Sequence, residues 1–200
     1  MKLFHSPTSP FVRKVVIAAI ETGQAADMEL SPASPADPDE AFAGANAIHK
    51  VPALITDDGV ALPESDAICL YLDARSGGKL IPSEGTARWT TIRRQALADG
   101  FMEAAVVRRG EDARTEGSRS QADVDKLMNR MLRCLDAMEA EAAEFGDGVD
   151  LGVIATACAL GYAEFRYADL DWRSGRPNLS KFYDAFSERA SMTSTEPPRT

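Results

Sequence analysis

The sequence predicts a two-part fold: an α/β unit over residues 1–76, a linker over 77–85, and an all-α helical bundle over 86–200 that ends in a polar tail. Three observations carry that expectation. Short strand-like runs and prolines cluster before Gly77-Gly78, strand signals disappear beyond Thr86, and the glycine pair between them is the kind of break that separates packed units. A chain of 200 residues is long enough for two such units.

In the first unit, Lys2 to His5 reads as a strand and Ser6-Pro7-Thr8-Ser9-Pro10 as a turn. Phe11, Val12, Val15, Val16, Ala19 and Ile20 then supply one apolar face of a helix, which Gly23 can end in a left-handed conformation. Met28 and Leu30 alternate with polar neighbours as a second strand. Pro32, Pro35 and Pro38 make Ser31 to Asp39 a loop, and Glu40 to Ala47 suits a short helix. Ala53 to Thr56 and Val60 to Leu62 flank Asp57-Asp58-Gly59, whose Asp-Gly pair favours a hairpin. Glu64-Ser65-Asp66 opens a helix with Ile68, Cys69 and Leu72 inward and Ser65 as its expected cap. The order is β-α-β-α-β-β-α.

In the second unit, Val124, Met128, Met131, Leu135, Met138, Ala142 and Phe145 recur at steps of four and three, a helical stripe capped by Ser120. Thr86 to Gly110, Asp150 to Tyr167 and Asn178 to Ala190 read as further helices, and Ser191 to Thr200 as the polar tail. Leu151 to Ala163 is the longest uncharged, mainly apolar stretch, and its 13 residues fall short of the ~20 a membrane span needs, so it reads as a buried helix.

Composition excludes several roles. With 22 Lys plus Arg against 31 Asp plus Glu, the net charge of −9 argues against nucleic acid as a partner. Pro7 interrupts the N-terminus before a signal-peptide core can develop, which implies a cytoplasmic protein and no membrane partner. Cys69, Cys134 and Cys158 are far apart in apolar periodic segments and read as reduced core thiols. His5 and His49 lack a third ligand in any recognisable spacing, so no metal is expected.

Three motifs carry chemistry. Ser9-Pro10 at a helix start sets a hydroxyl beside backbone N–H groups that favour negative charge, although capping alone would also explain it. The ordered set Ser6-Pro7-Thr8-Ser9-Pro10-Phe11-Val12-Arg13-Lys14, His49-Lys50-Val51-Pro52-Ala53-Leu54 and Pro63-Glu64-Ser65-Asp66-Ala67-Ile68 resembles cytosolic glutathione transferases over essentially the whole chain. Ala96 to Gly100, Ala157 to Tyr162 and Thr195-Glu196-Pro197-Pro198 make the resemblance most like the bacterial YibF-type branch.

The resemblance implies a thioredoxin-like first domain followed by the helical one, with glutathione as co-substrate. It implies that Ser9 donates a hydrogen bond to the glutathione sulfur and holds it as thiolate. Lowering a thiol pKa by ~2 units needs about 2.7 kcal/mol, within reach of a charge-assisted hydrogen bond plus a helix end. Thr8 and Ser6 are back-up hydroxyls. With no cysteine before Cys69, a Cys-x-x-Cys redox mechanism is disfavoured. It further implies a cis Val51–Pro52 bond that turns the Val51 N–H and C=O towards the cysteinyl backbone, Lys50 near the glycyl carboxylate, and Glu64 and Ser65 on the γ-glutamyl amine and carboxylate. A homodimer is implied as well.

One departure is visible: Asp150-Leu151-Gly152-Val153 keeps only the leading cap of the family's usual capping pair. Asp99 stays outside the expected site. Phe101, Met102 and Tyr162 are candidates for the wall of the second-substrate pocket. The function expected is conjugation of glutathione to a small electrophile or reduction of a peroxide, and the alternative is a glutathione-binding interaction module with little turnover.

Overall fold

The computed structural model describes residues 1–198. The first unit is a four-stranded mixed sheet of β1 (Lys2–His5), β2 (Glu29–Pro32), β3 (Ala53–Ile55) and β4 (Ala61–Pro63), in the order β2-β1-β3-β4. β1 runs parallel to β2 and antiparallel to β3, and β3 is antiparallel to β4. Alternation sorts the side chains. Leu3 and Leu54 face a core shared with α1 (Pro10–Glu21) and α3 (Ser65–Arg75), whereas Phe4 and Ala53 face α2 (Glu40–Ala45), where Phe42 stacks 5.5 Å from Phe4.

The second unit holds α4 (Gly85–Asp112), α5 (Gln121–Ala142), α6 (Leu151–Arg166), α7 (Pro177–Ser187) and the short α8 (Ala190–Thr193). The expected fold class, α/β followed by all-α, is the one observed. α6 is buried from Leu151 through Ala163, as its uncharged sequence implies. Its cap is Asp150, whose Oδ1 accepts the Val153 N–H at 2.9 Å while Oδ2 accepts from Thr91 at 3.2 Å. Ser120 caps α5 in the same way. No described helix is long and apolar enough to cross a membrane.

Several local expectations need correction. The second strand starts at Glu29 and runs on through Pro32 instead of ending at Leu30; a proline is tolerated there because β2 lies at the sheet edge, where one row of N–H groups has no partner strand. The Met-rich helix ends at Ala142, before Phe145. Ser65 is the first helical residue of α3 and not its cap, because Glu64 holds the cap position and bonds through no side-chain atom. The expected polar tail folds back: Ser191 and Met192 in α8 are buried, and the Ser191 hydroxyl and Arg189 guanidinium both bond Glu21 of α1. Arg199 and Thr200, also in that expected tail, lie outside the described residues.

The segment after α3 is held tightly. Asp73 Oδ1 accepts the N–H groups of Leu80 at 2.6 Å and Ile81 at 3.2 Å, and the Leu80 carbonyl accepts the Leu151 N–H at 3.0 Å. Gly152 allows α6 to approach α4 closely. A Cβ there would sit 2.7 Å from Arg94 Cβ and 2.9 Å from the Thr91 carbonyl oxygen. Gly152→Ala should therefore cost about 1–3 kcal/mol of stability by forcing the two helices apart. Urea unfolding measures this, and a variant as stable as wild type would show that the contact has slack.

Candidate functional site

Sheet register brings the three motifs to one end of the first unit. β1 ends at His5 and leads into the Ser9 turn. β3 is antiparallel to it with Phe4 opposite Ala53, so Val51-Pro52 enters beside the same end. β4 is antiparallel to β3 with Ala53 opposite Pro63, so Glu64-Ser65 leaves there too.

Ser9 is the N-cap of α1, with Pro10 in the first turn. Its Oγ accepts the Val12 N–H at 3.3 Å, which uses a lone pair and leaves the hydroxyl hydrogen free to donate. Ser6 and Thr8 hydroxyls lie 3.4 Å apart, so Thr8 shares the turn. Ser9 and Thr8 line a small cleft with Arg13, Cys158, Gly161, Tyr162, Phe165 and Pro197. Of the expected wall residues only Tyr162 lines it; Phe101 and Met102 are fully buried in the core. Cys158 is no rival nucleophile, since burial pushes its thiol up to about 12.

The Val51–Pro52 bond is cis. Among the described residues neither the Val51 N–H nor its C=O takes part in a hydrogen bond. Asn46 fixes the approach, donating to the Lys50 carbonyl at 2.5 Å and accepting from the Ile48 N–H at 3.0 Å. Lys50 itself is exposed. Glu64 has φ 69°, in the region that non-glycine residues occupy at a cost of about 1–3 kcal/mol and keep only where the surroundings demand it. Its side chain is exposed, whereas Ser65 is buried at the helix start beside it.

Sequence reasoning missed the charged cluster behind these motifs. Lys14, fully buried on α1, donates to Asp66 Oδ1 at 2.7 Å and to both Asp99 oxygens at 2.7 and 2.8 Å. Gln95 donates to Asp66 at 2.7 Å and to Asp99 at 3.3 Å. Burial works against the Lys14 charge, but Asp99 and Asp66 outweigh it and raise its pKa. Burial likewise opposes the Asp66 charge, and Lys14 outweighs it, holding Asp66 below the usual carboxylate range. Asp99 is the deeper acid, and burial pushes it up to about 6 despite Lys14. The signal available in the sequence was that Lys14 precedes Ile17 and Ala18 by three and four residues, which puts a charge on a helix face that is otherwise buried.

Against known proteins, sequence models of the glutathione S-transferase N-terminal and C-terminal domains match residues 3–80 and 114–185. The uncharacterized GST-like protein YibF of Escherichia coli (strain K12) is 34% identical over the full length of both chains. This chain belongs to the glutathione S-transferase family. A glutathione transferase family member from Pseudomonas fluorescens Pf-5, solved with bound glutathione, is 42% identical, covers 98% of each chain and superposes with a TM-score of 0.93. A transferase family structure from Methylobacillus flagellatus KT with glutathione bound is 38% identical, covers 98% of this chain and 99% of its own, and gives 0.91. Among the described residues no cluster of three His, Cys, Asp or Glu could hold a metal.

Lys14→Met should lower stability near pH 7 by about 3 kcal/mol, because it leaves two carboxylates facing each other without their cation. Asp99 binds its proton more tightly folded (about 6) than at its ordinary 3.8, so that contribution is complete below 3.8 and lost as pH rises through about 6. Removing Lys14 raises the folded value further. The deficit should therefore shrink from about pH 7 to about pH 5, measured by urea unfolding at both. A deficit that does not change with pH would contradict this account of the cluster.

Proposed function

We propose that this chain is a glutathione S-transferase that holds glutathione along the end of the sheet, activates its thiol at Ser9 and adds the thiolate to a small electrophile. The observation that carries the reading is the convergence of a free hydroxyl donor at the start of α1, an unpaired Val51 backbone and the Glu64-Ser65 start of α3 at one end of the sheet. The bound glutathione in the Pseudomonas fluorescens relative supports the same ligand here.

The roles follow from charge. Val51 pairs with the cysteinyl backbone as an added strand, next to Pro52. Lys50 meets the glycyl carboxylate, Glu64 the γ-glutamyl ammonium, and Ser65 with the first-turn N–H groups of α3 its carboxylate. Ser9 gives its hydrogen to the sulfur and forms no covalent bond, so its contribution grows as negative charge settles on that atom. Addition to an electrophilic carbon is the reading we favour over peroxide reduction, because the cleft beside Ser9 offers aromatic walls in Tyr162 and Phe165 to an apolar electrophile. The second reading, a glutathione-binding module with little turnover, keeps all these contacts and differs only in rate.

Ser9→Ala should lower turnover about 10- to 150-fold with a smaller effect on glutathione binding, the range expected for losing a charge-assisted hydrogen bond of roughly 1.5–3 kcal/mol in the reacting state. Glu64→Ala should do the reverse, raising the apparent constant for glutathione. Steady-state kinetics at varied glutathione, with thiolate ultraviolet absorbance followed across pH, tests both. Unchanged turnover and ionisation in Ser9→Ala would transfer the role to Thr8 or to a backbone N–H. Wild-type binding without turnover across halide, epoxide, enone and peroxide substrates would favour the second reading.

We also propose a cytoplasmic homodimer, supported by the exposed Leu70 of α3 and Trp89 and Val107 of α4, apolar side chains that a second copy would cover. Light scattering at micromolar concentration should give twice the 21.5 kDa chain mass. A single species at the chain mass would count against it.

A further inference from the structure

Beside the Ser9 cleft lies a group of arginines whose charge is only partly matched, Arg108 alone pairing with an acid, Asp112, at 3.5 Å, and it deepens the transferase reading on which it rests. The last turns of α4 and α6 bring Arg108, Arg109 and Arg166 around Tyr162 and Tyr167. The Arg166 guanidinium lies 3.9 Å from the centre of the Phe165 ring, and that of Arg108 lies 4.7 Å from the Tyr167 ring. Tyr167, at the end of α6, donates to the Ala105 carbonyl at 2.6 Å, one turn before Arg109, and Arg166 lies one turn beyond Tyr162 on α6; burial raises the Tyr162 hydroxyl pKa, and the charges of Arg166 and Arg109 oppose that rise. Tyr162 and Phe165 in turn line the cleft that contains Ser9.

Among the described residues neither Arg109 nor Arg166 makes an ion pair, in a chain with 31 acids to 22 bases. The described buried side-chain polar atoms without a hydrogen-bond partner are the Nε atoms of Arg108 and Arg166. Arg108 Nε already faces Asp112 Oδ2 at 3.5 Å, so the donor left without an acid is that of Arg166; an unmatched donor costs roughly 1–3 kcal/mol, which an acceptor arriving at the Arg166 guanidinium would offset.

We propose that this cluster receives a carboxylate carried by the electrophile, so that the second substrate is an anionic, carboxylate-bearing compound. Its apolar part lies against Tyr162 and Phe165, and its acid meets Arg166 and Arg109, whose planar guanidinium groups match a carboxylate two bonds at a time. The adjoining cleft of about 430 Å³ carries Glu164 and Glu196 against a single cation, Arg13, whose guanidinium already donates to the Met192 carbonyl and the Thr195 hydroxyl, so an anion is disfavoured there and the Arg166 side is left as its seat. With an activated alkene the step balances without a co-reactant. The C–S bond forms at one alkene carbon, the π pair passes to the neighbouring carbonyl as an enolate, and the proton lost by the thiol returns to the carbon beside that carbonyl.

The probes are 3-benzoylacrylate and its ethyl ester, which share the reacting enone and differ in charge. The acid-to-ester ratio of kcat/KM should fall about tenfold in Arg166→Gln, fall further when Arg109→Gln is added, and largely recover in Arg166→Lys. Calorimetry on the glutathione adducts of the two probes needs no turnover, and wild type should bind the acid adduct about tenfold more tightly than the ester adduct. Equal affinity for the two adducts, or a kcat/KM ratio unmoved by the glutamine substitutions, overturns the proposal. Turnover of neither probe, with arginine-dependent preference for the acid adduct intact, would count against the transferase reading and leave the carboxylate site standing.

Discussion

The buried charge of Lys14 is the constraint around which the rest is arranged. An ammonium group taken wholly out of water survives only when acids surround it, and those acids come from α3 and α4. α1 is thereby fixed against the first helix of the second unit and against the helix that begins with Glu64-Ser65. The two helix starts that bear the candidate ligand groups are fixed through one ion. Displacing either helix leaves an uncompensated charge in the core, so the cluster trades stability for a defined geometry.

What was legible in the sequence was local. Ser9-Pro10 and Asp150 could be read as caps because a cap and the N–H it serves lie within three residues of each other. The buried character of α6 followed from a run with no charge. Lys14 was different, since its partners Asp66 and Asp99 lie 52 and 85 positions away, and nothing local says that three charges far apart in the chain will meet. The short final helix escaped notice for the same reason: Ser191 looks like a solvated residue until Glu21, 170 positions earlier, accepts its hydrogen.

Ser65 shows a second kind of failure. Hydroxyl residues before a helical stripe are usually caps, and the shift by one position comes from the left-handed backbone of Glu64, which no propensity of glutamate foretells. The cis geometry before Pro52 was expected from family resemblance, because an isolated Val-Pro pair favours trans. The unmatched arginines near Tyr162 were also invisible, since burial of a single nitrogen atom has no signature in a chain of letters.

Both rims of the sheet carry a proline, Pro32 in β2 and Pro63 in β4. A strand from a neighbouring molecule seeking to zip onto either rim meets a ring where it needs a donor, so growth into a larger intermolecular sheet is blocked on both sides. The unpaired main chain at Val51 thus lies at the end of a sheet whose two rims do not invite a second copy to extend it.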